Sequence, residues 1–192
     1  MLRYLWVPTK IMIVAVVLLG LVYPLAMTGA IQLAFPRQAN GSLIEVNGRA
    51  VGSALIGQDF TLPKYFQPRP SAAGSGYDPT ASGGSNLGPT NKTLFDDVKA
   101  RVASATAEDP GLKWGDVPVD MVTASASGLD PDISIANALA QVPRVAKERG
   151  LTQAAVRALT YHYTAGRTLG FLGEPRVNVL ELNLALDGVS SR

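Results

Sequence analysis

The 192-residue chain contains no cysteine and one histidine, His162. Without thiols it can form no disulfide, no cysteine-ligated metal centre and no thiolate nucleophile. A single imidazole rules out the usual zinc patterns, and the aspartates are scattered rather than gathered into a calcium loop, so no metal site is indicated. Charge is also sparse: Asp, Glu, Lys and Arg make up 17% of the chain, for a net +2. Arg3 and Lys10 precede a long apolar run, which leaves fifteen basic residues beyond it against fifteen acidic ones. A body of zero net charge is a poor polyanion binder, so nucleic acid is not an expected partner.

A phosphate cradle is missing as well. "ASGGSNLGPTN" (Ala81 to Asn91) places Gly83 and Gly88 at the spacing of a nucleotide loop. Pro89, however, stands where that loop needs lysine, and proline has no N–H to donate. Lys92 and Thr93 come too late to serve the same cradle. The stretch reads as a turn. "GSGYDP" fails as a dinucleotide signature, because it neither follows a strand nor opens a helix and lacks the third glycine.

What the chain does have is a greasy N-terminus. Residues 11–36 carry no charge, and Ile11 to Ala26 is almost purely aliphatic, long enough to cross about 30 Å of hydrocarbon at about 1.5 Å per residue. "AMTGA" (Ala26 to Ala30) offers small residues for signal cleavage near Ala30, which would release a secreted binding domain, but the uncharged run continues too far for a typical signal peptide. An uncleaved span is expected. Gly20 and Pro24 interrupt it, either as a kink in lipid or as a seat for partner helices. Arg3 and Lys10 before the span, with only Arg37 soon after it, orient the N-terminus to the cytoplasm by the positive-inside rule. The expected organisation is a cytoplasmic N-terminus at 1–10, a transmembrane helix at 11–36 and an extracytoplasmic domain at 37–192.

That domain reads as α+β. "SLIEV" and "RAVGSALIG" flank Asn47-Gly48, a strong hairpin pair. From Asp59 to Asn91 runs a long Gly/Pro/Ser-rich loop, with Phe60, Tyr65, Phe66 and Tyr77 as expected pins; loops of that length are functional or anchored by their own side chains. Leu94, Val98 and Val102 mark a helix capped by Thr90 or Asn91. "VPVDMVTAS" (Val117 to Ser125) alternates like a strand. Ser134 to Arg149 is helical, with Ile135, Leu139, Val142 and Val145 inward, Gly150 as its stop and Pro143 expected to bend it. Thr152 caps another helix. "VNVLELNLALD" allows a strand or a helix, and a capping box between Asn178 and Glu181, with Val177 and Leu182 as staple, favours the helix.

Candidate chemistry is thin. Ser125 and Ser127 lie near Asp120 and Asp130, so an anchored extracytoplasmic hydrolase using either serine with His162 is one alternative, although neither serine has the glycines of a nucleophile elbow. Asn91-Lys92-Thr93 formally matches a glycosylation acceptor. The remaining candidates, Arg69 and Ser71 in "RPSA", Ser85 and Asn86 in the glycine-rich loop, Ser125, Ser127 and Arg144, suit partner contact, as do Tyr23 and Pro24 in the span.

The ordered set "YP" (Tyr23, Pro24), "ANGSLI", "GSALIGQDF", "YFQPRPSA", "ASGGSNLGPTN", "VPVDMVTASASGLDP", "QVPRVA" and "GEPRVNVLELNLALD" resembles the potassium-transporting ATPase C chain of the bacterial Kdp system over nearly the whole chain. The resemblance implies a non-hydrolysing accessory subunit in the bacterial inner membrane. Its implied partners are an ATPase subunit and a potassium-binding, channel-like subunit, with no covalently bound cofactor. It further implies a catalytic chaperone that raises the ATP affinity of the ATPase subunit, with Gln141 matching a glutamine that takes part in nucleotide binding. Charge bias, by contrast, places Gln141 outside the membrane, where ATP is scarce. Asp132 departs from the family pattern, in which histidine or asparagine is expected.

Overall fold

The computed structural model describes residues 2–188; positions 1 and 189–192, the extremes of the predicted N-terminal segment and outer domain, lie outside the described residues. Contacts divide the chain after Leu43 into two compact units.

The first unit is mainly helix: α1 (Leu2–Val17), a π-helical turn (Leu18–Val22) and α2 (Tyr23–Ala34). Tyr4–Ala34 has a mean hydropathy of 2.5 in its most apolar stretch, so its length and composition suit a membrane crossing. The break expected at Gly20 and Pro24 takes the form of the π turn. Pro24 has no N–H and its ring crowds the carbonyl four residues back, on Gly20. The wider turn accommodates it, with Tyr23 donating to the Leu18 carbonyl. Ala30, the expected cleavage point, lies within α2. The helix ends at Phe35, before a single turn, α3 (Pro36–Ala39).

The second unit opens one residue into the expected hairpin, β1 (Leu43–Val46) and β2 (Arg49–Ser53), across Asn47 and Gly48 at φ +53° and +76°. After the long loop come α4 (Lys92–Glu108), α5 (Val119–Val122), β3 (Asp132–Ser134), α6 (Ile135–Arg149), α7 (Gln153–His162), β4 (Thr164–Ala165), β5 (Arg176–Asn178) and α8 (Val179–Leu186). Helix starts follow the capping logic. The side chains of Asn91, Ser134, Thr152 and Asn178 each accept a backbone N–H of the first turn. Gly150 closes α6 at φ +64°, with Leu151 N donating to the Ala146 carbonyl at 2.9 Å. Helix α6 runs through Pro143.

Two readings need correction. Val117 to Ser125 is not a strand: Pro118 precedes the turn of α5, and Thr123 N bonds back to the Val119 carbonyl at 3.0 Å. The cause is Asp120, whose carboxylate accepts from Ser134 N, Ser134 Oγ and Asn137 Nδ2 at 2.8, 2.8 and 3.1 Å. Three bonds to the start of α6 outweigh a weak β preference of the valines. The ambiguous C-terminal stretch is both elements in succession, β5 and then α8.

Strands β3, β5 and β4 form an antiparallel sheet in that order, with Ile133 opposite Val177 and Thr164 on its other side. Ile133 and Val177 are fully buried and join Phe66, Val142, Val145, Val156, Val179 and Leu182 in one core. Phe66 ties the long loop into this core; its burial contributes about 1.5–3 kcal/mol.

Candidate functional site

Helix α6 has two buried faces. Ala138, Val142, Val145 and Ala146 face the core, and Asn137, Gln141 and Arg144, following the half-buried N-cap Ser134 at spacings of three or four residues, line the flank facing the long loop. Asp120 holds Asn137, and Asn137 Oδ1 accepts from Gln141 Nε2 at 2.7 Å. Gln141 then grips the loop backbone as a strand would: Gln67 N donates to Oε1 at 2.7 Å, and Nε2 donates to the Gln67 carbonyl at 3.0 Å. From α8, Asn183 does the same to the preceding residue, at 2.8 and 2.9 Å to Phe66 N and O. Two side-chain amides thus replace the sheet partner that this irregular segment lacks, which is how its buried backbone groups are satisfied.

Arg144 completes the clamp. Its Nε donates to Asp109 Oδ1 at 2.7 Å, Nη1 to the carbonyls of Pro63 and Tyr65 at 2.6 and 2.9 Å, and Nη2 to Gln141 Oε1 at 2.6 Å. Both members of the ion pair are buried, at 5% and 2% side-chain exposure. One turn further, Arg149 donates to the carbonyls of Lys64 and Leu186 and pairs with Asp187. Between the loop and helices α4 and α6 lies a cleft of about 740 Å³, whose walls include Arg69, Tyr77, Arg101, Gln141, Arg144 and Lys147.

The expected pins hold only part of the loop. Phe66 is buried, Tyr65 donates to Asp187 at 2.8 Å, Phe60 packs on the Tyr65 ring, and Tyr77 donates to the Arg69 carbonyl. Burial, with Asp59 and Asp130 nearby, keeps the Tyr77 phenol neutral well above the usual range. The polar clamps were not anticipated. Their only sequence signal is the spacing of Asn137, Gln141 and Arg144; nothing local marks Asp109, Gln67 or Asn183.

The other candidates sort by exposure. Arg69 pairs with Asp130 at 2.8 Å, and Ser71 Oγ donates to the Gly128 carbonyl at 2.6 Å while accepting Tyr77 N at 2.8 Å. Ser125 and Ser127 lie 3.3 Å apart and accept the Gly128 and Leu129 amides. Among the described residues no hydrogen bond joins either serine to His162, which ends α7 with its ring against Tyr163. Ser85, Asn86, Ser127 and, in the first unit, Tyr23 and Pro24 are exposed, whereas Arg144 is enclosed. The glycine-rich stretch is mostly irregular, with a turn only at Pro89 and Thr90, where Asn91 N donates to the Gly88 carbonyl at 3.0 Å; Gly83 N and Ser82 Oγ hold it to the segment around Ser127, both donating to the Ser127 carbonyl at 2.9 Å. The described residues hold no cluster of three or more metal-ligating side chains.

What this arrangement can do chemically is limited. Gln141 uses both N–H groups and both oxygen lone pairs internally. Asp132, at the sheet edge, pairs with Arg176 at 2.9 Å, yet burial, reinforced by Asp130, raises its carboxyl above the ordinary value despite Arg176 and Asn178. The folded state therefore holds this proton after the unfolded chain has released it. Its contribution to stability is greatest in acid and declines as pH rises from about 3.8 through the folded value. The stability of the parent chain minus that of Asp132→Asn, measured by urea titration in detergent, should fall between pH 4 and pH 7. A signed difference that rises with pH would contradict this.

A family model described as "K+-transporting ATPase, c chain" matches residues 5–188. Proteins named potassium-transporting ATPase KdpC subunit are similar over almost their full lengths. The one from Gemmatimonas aurantiaca is 59% identical over 96% of this chain and 92% of its own. That from Koribacter versatilis is 58% identical over 92% and 90%, and that from Rhodospirillum rubrum 58% over 94% and 93%. With that match spanning both the apolar helix and the clamped α+β body, the chain belongs to the KdpC family of K+-transporting ATPase c chains.

Proposed function

We propose that this chain is the accessory, non-hydrolysing subunit of an ATP-driven potassium importer, and that it acts by contact. It sits in the bacterial inner membrane with its N-terminus in the cytoplasm and its α+β body on the outer side. Its helix packs against the ATPase subunit and the potassium-binding, channel-like subunit. Its effect is to stabilise the complex and, as a catalytic chaperone, to raise the ATP affinity of the ATPase subunit. The observation that carries this reading is the saturation of Gln141. The residue with the strongest claim to a ligand is tied to Gln67, Asn137 and Arg144, so it serves as a strut for the contact surface while the ATPase subunit holds ATP.

The test compares complexes reconstituted with the chain, without it, and with Gln141→Ala. Omission should abolish potassium-stimulated ATP hydrolysis at low ATP. The alanine variant should lower the melting temperature of the chain and raise the KM for ATP together, since losing the clamp leaves buried Gln67 and Asn137 groups unpaired at about 1–3 kcal/mol. Undiminished pumping without the chain would sink the proposal. A raised KM with unchanged melting would instead return nucleotide binding to Gln141.

A further inference from the structure

Beyond β4 the chain forms a tight hairpin that returns into β5. Thr168 and Leu172 exchange both backbone hydrogen bonds at 2.9 Å, and Gly170 N and Phe171 N donate back to the carbonyls of Arg167 and Thr168 at 3.1 and 3.3 Å. The tip is therefore closed and ordered. It is also apolar and uncovered: Leu169, Phe171 and Leu172 are 79%, 69% and 49% exposed.

Single exposed leucines are ordinary. This tip differs in its backbone. Leu169 sits at φ +55°, next to Gly170 at +83°. That conformation suits glycine or asparagine, and costs other residues about 1–2 kcal/mol. The fold carries that strain at a position whose leucine has nothing to pack against in this chain, the pattern of a residue retained for a contact outside it.

We infer that the Leu169–Leu172 tip is a docking knob that inserts into an apolar pocket on another chain of the same transport complex. This rests on the reading of the chain as a subunit acting by contact. The charge around the tip selects that occupant over lipid. At its neck Arg167 is bonded to both oxygens of Glu174, at 2.9 and 2.7 Å, and Glu174 is 77% exposed. Anionic headgroups attract unpaired Lys and Arg; a neutralised arginine beside an exposed carboxylate offers them little, whereas a self-neutral collar suits the rim of a protein interface. A rigid tip also loses little freedom on docking, so an aromatic anchor there binds with full effect.

The native lack of cysteine makes the test clean. Phe171→Cys in the full chain carries its only thiol, and its modification by a maleimide is followed on this chain's own gel band. In detergent the thiol should react freely; in the assembled complex it should react at least about tenfold more slowly. Separately, Leu169→Asn combined with Phe171→Ser should leave the melting temperature of the isolated chain unchanged or raised, because asparagine tolerates the left-handed turn. Recovery of that chain with its tagged partner subunits should fall about tenfold or more. Equal thiol reactivity with and without partners overturns the inference, as does undiminished recovery of the double variant. Protection of Phe171→Cys in lipid nanodiscs holding this chain alone, with quenching of a polarity-sensitive thiol label by brominated lipid, overturns it in favour of a lipid contact. If the parent chain itself fails to co-purify, the contact-acting reading falls with it; if only the tip variants behave like the parent, that reading stands and the knob does not.

Discussion

Arg144→Ala is expected to destabilise the folded chain by about 3–5 kcal/mol, because it leaves Asp109 as an unpaired buried carboxylate. It also strips donors from the Pro63 and Tyr65 carbonyls and from Gln141. Against a total stability of about 5–15 kcal/mol this is a large fraction, and for a chain of this size each kcal/mol moves the melting temperature by about 2–4 °C. Asp109 feels the opposing terms directly: burial raises its carboxyl above the ordinary value although the Arg144 guanidinium and its hydrogen bond pull it down. Lysine should rescue only part of the loss, since an ammonium on a flexible stem can keep the charge opposite Asp109 but cannot span the same set of acceptors. Thermal or urea denaturation of the parent, Arg144→Lys and Arg144→Ala chains in one detergent decides the matter. A loss below about 1 kcal/mol for the alanine variant would mean that the loop is held chiefly by Phe66 and the tyrosines.

Gly128→Ala should be nearly as damaging, for a different reason. Gly128 is at φ +67°, and a Cβ there would lie 2.6 Å from Ala73 N and 2.7 Å from the Gly83 carbonyl. The left-handed backbone costs alanine about 1–2 kcal/mol. Overpacking against fixed backbone adds about 1–3 kcal/mol, since those atoms cannot move aside as a flexible side chain can. Gly150 is the control: it shares the positive φ, +64°, but faces open space. Gly150→Ala should therefore show the strain alone. Equal destabilisation at the two sites would show that the three strands of loop meeting at Gly128 are not in tight register. Because Gly128 joins the Ser71, Gly83 and Ser127 segments, its alanine variant should also lose assembly with partner subunits in proportion to its lost stability.

Local signals carried most of the element boundaries. Asn47-Gly48, the caps at Asn91, Ser134, Thr152 and Asn178, and Gly150 each act through bonds to residues within a turn of themselves, so a linear reading finds them. The failures share one cause. Asp120 converts an alternating segment into α5 through bonds to residues fourteen and seventeen positions away. Strands β3, β4 and β5 have three residues or fewer, too short to display a period of two. Gln141 was legible as a candidate, but its occupation by Gln67, seventy-four positions distant, was not.

The amino-acid order alone determined the partition of this protein: an apolar helix fit for lipid, a neutral α+β body without thiols or paired imidazoles, and membership of a potassium-ATPase family. These follow from composition, short-range backbone chemistry and the order of long motifs, none of which requires distant residues to meet. Only the tertiary structure decided that the polar flank of α6 closes on the long loop, that Arg144 is enclosed, and that the tip at Leu169 stands free. Those outcomes depend on which buried donors and acceptors find partners across long separations in sequence, and hydrogen-bond satisfaction in a packed interior is settled by the fold as a whole.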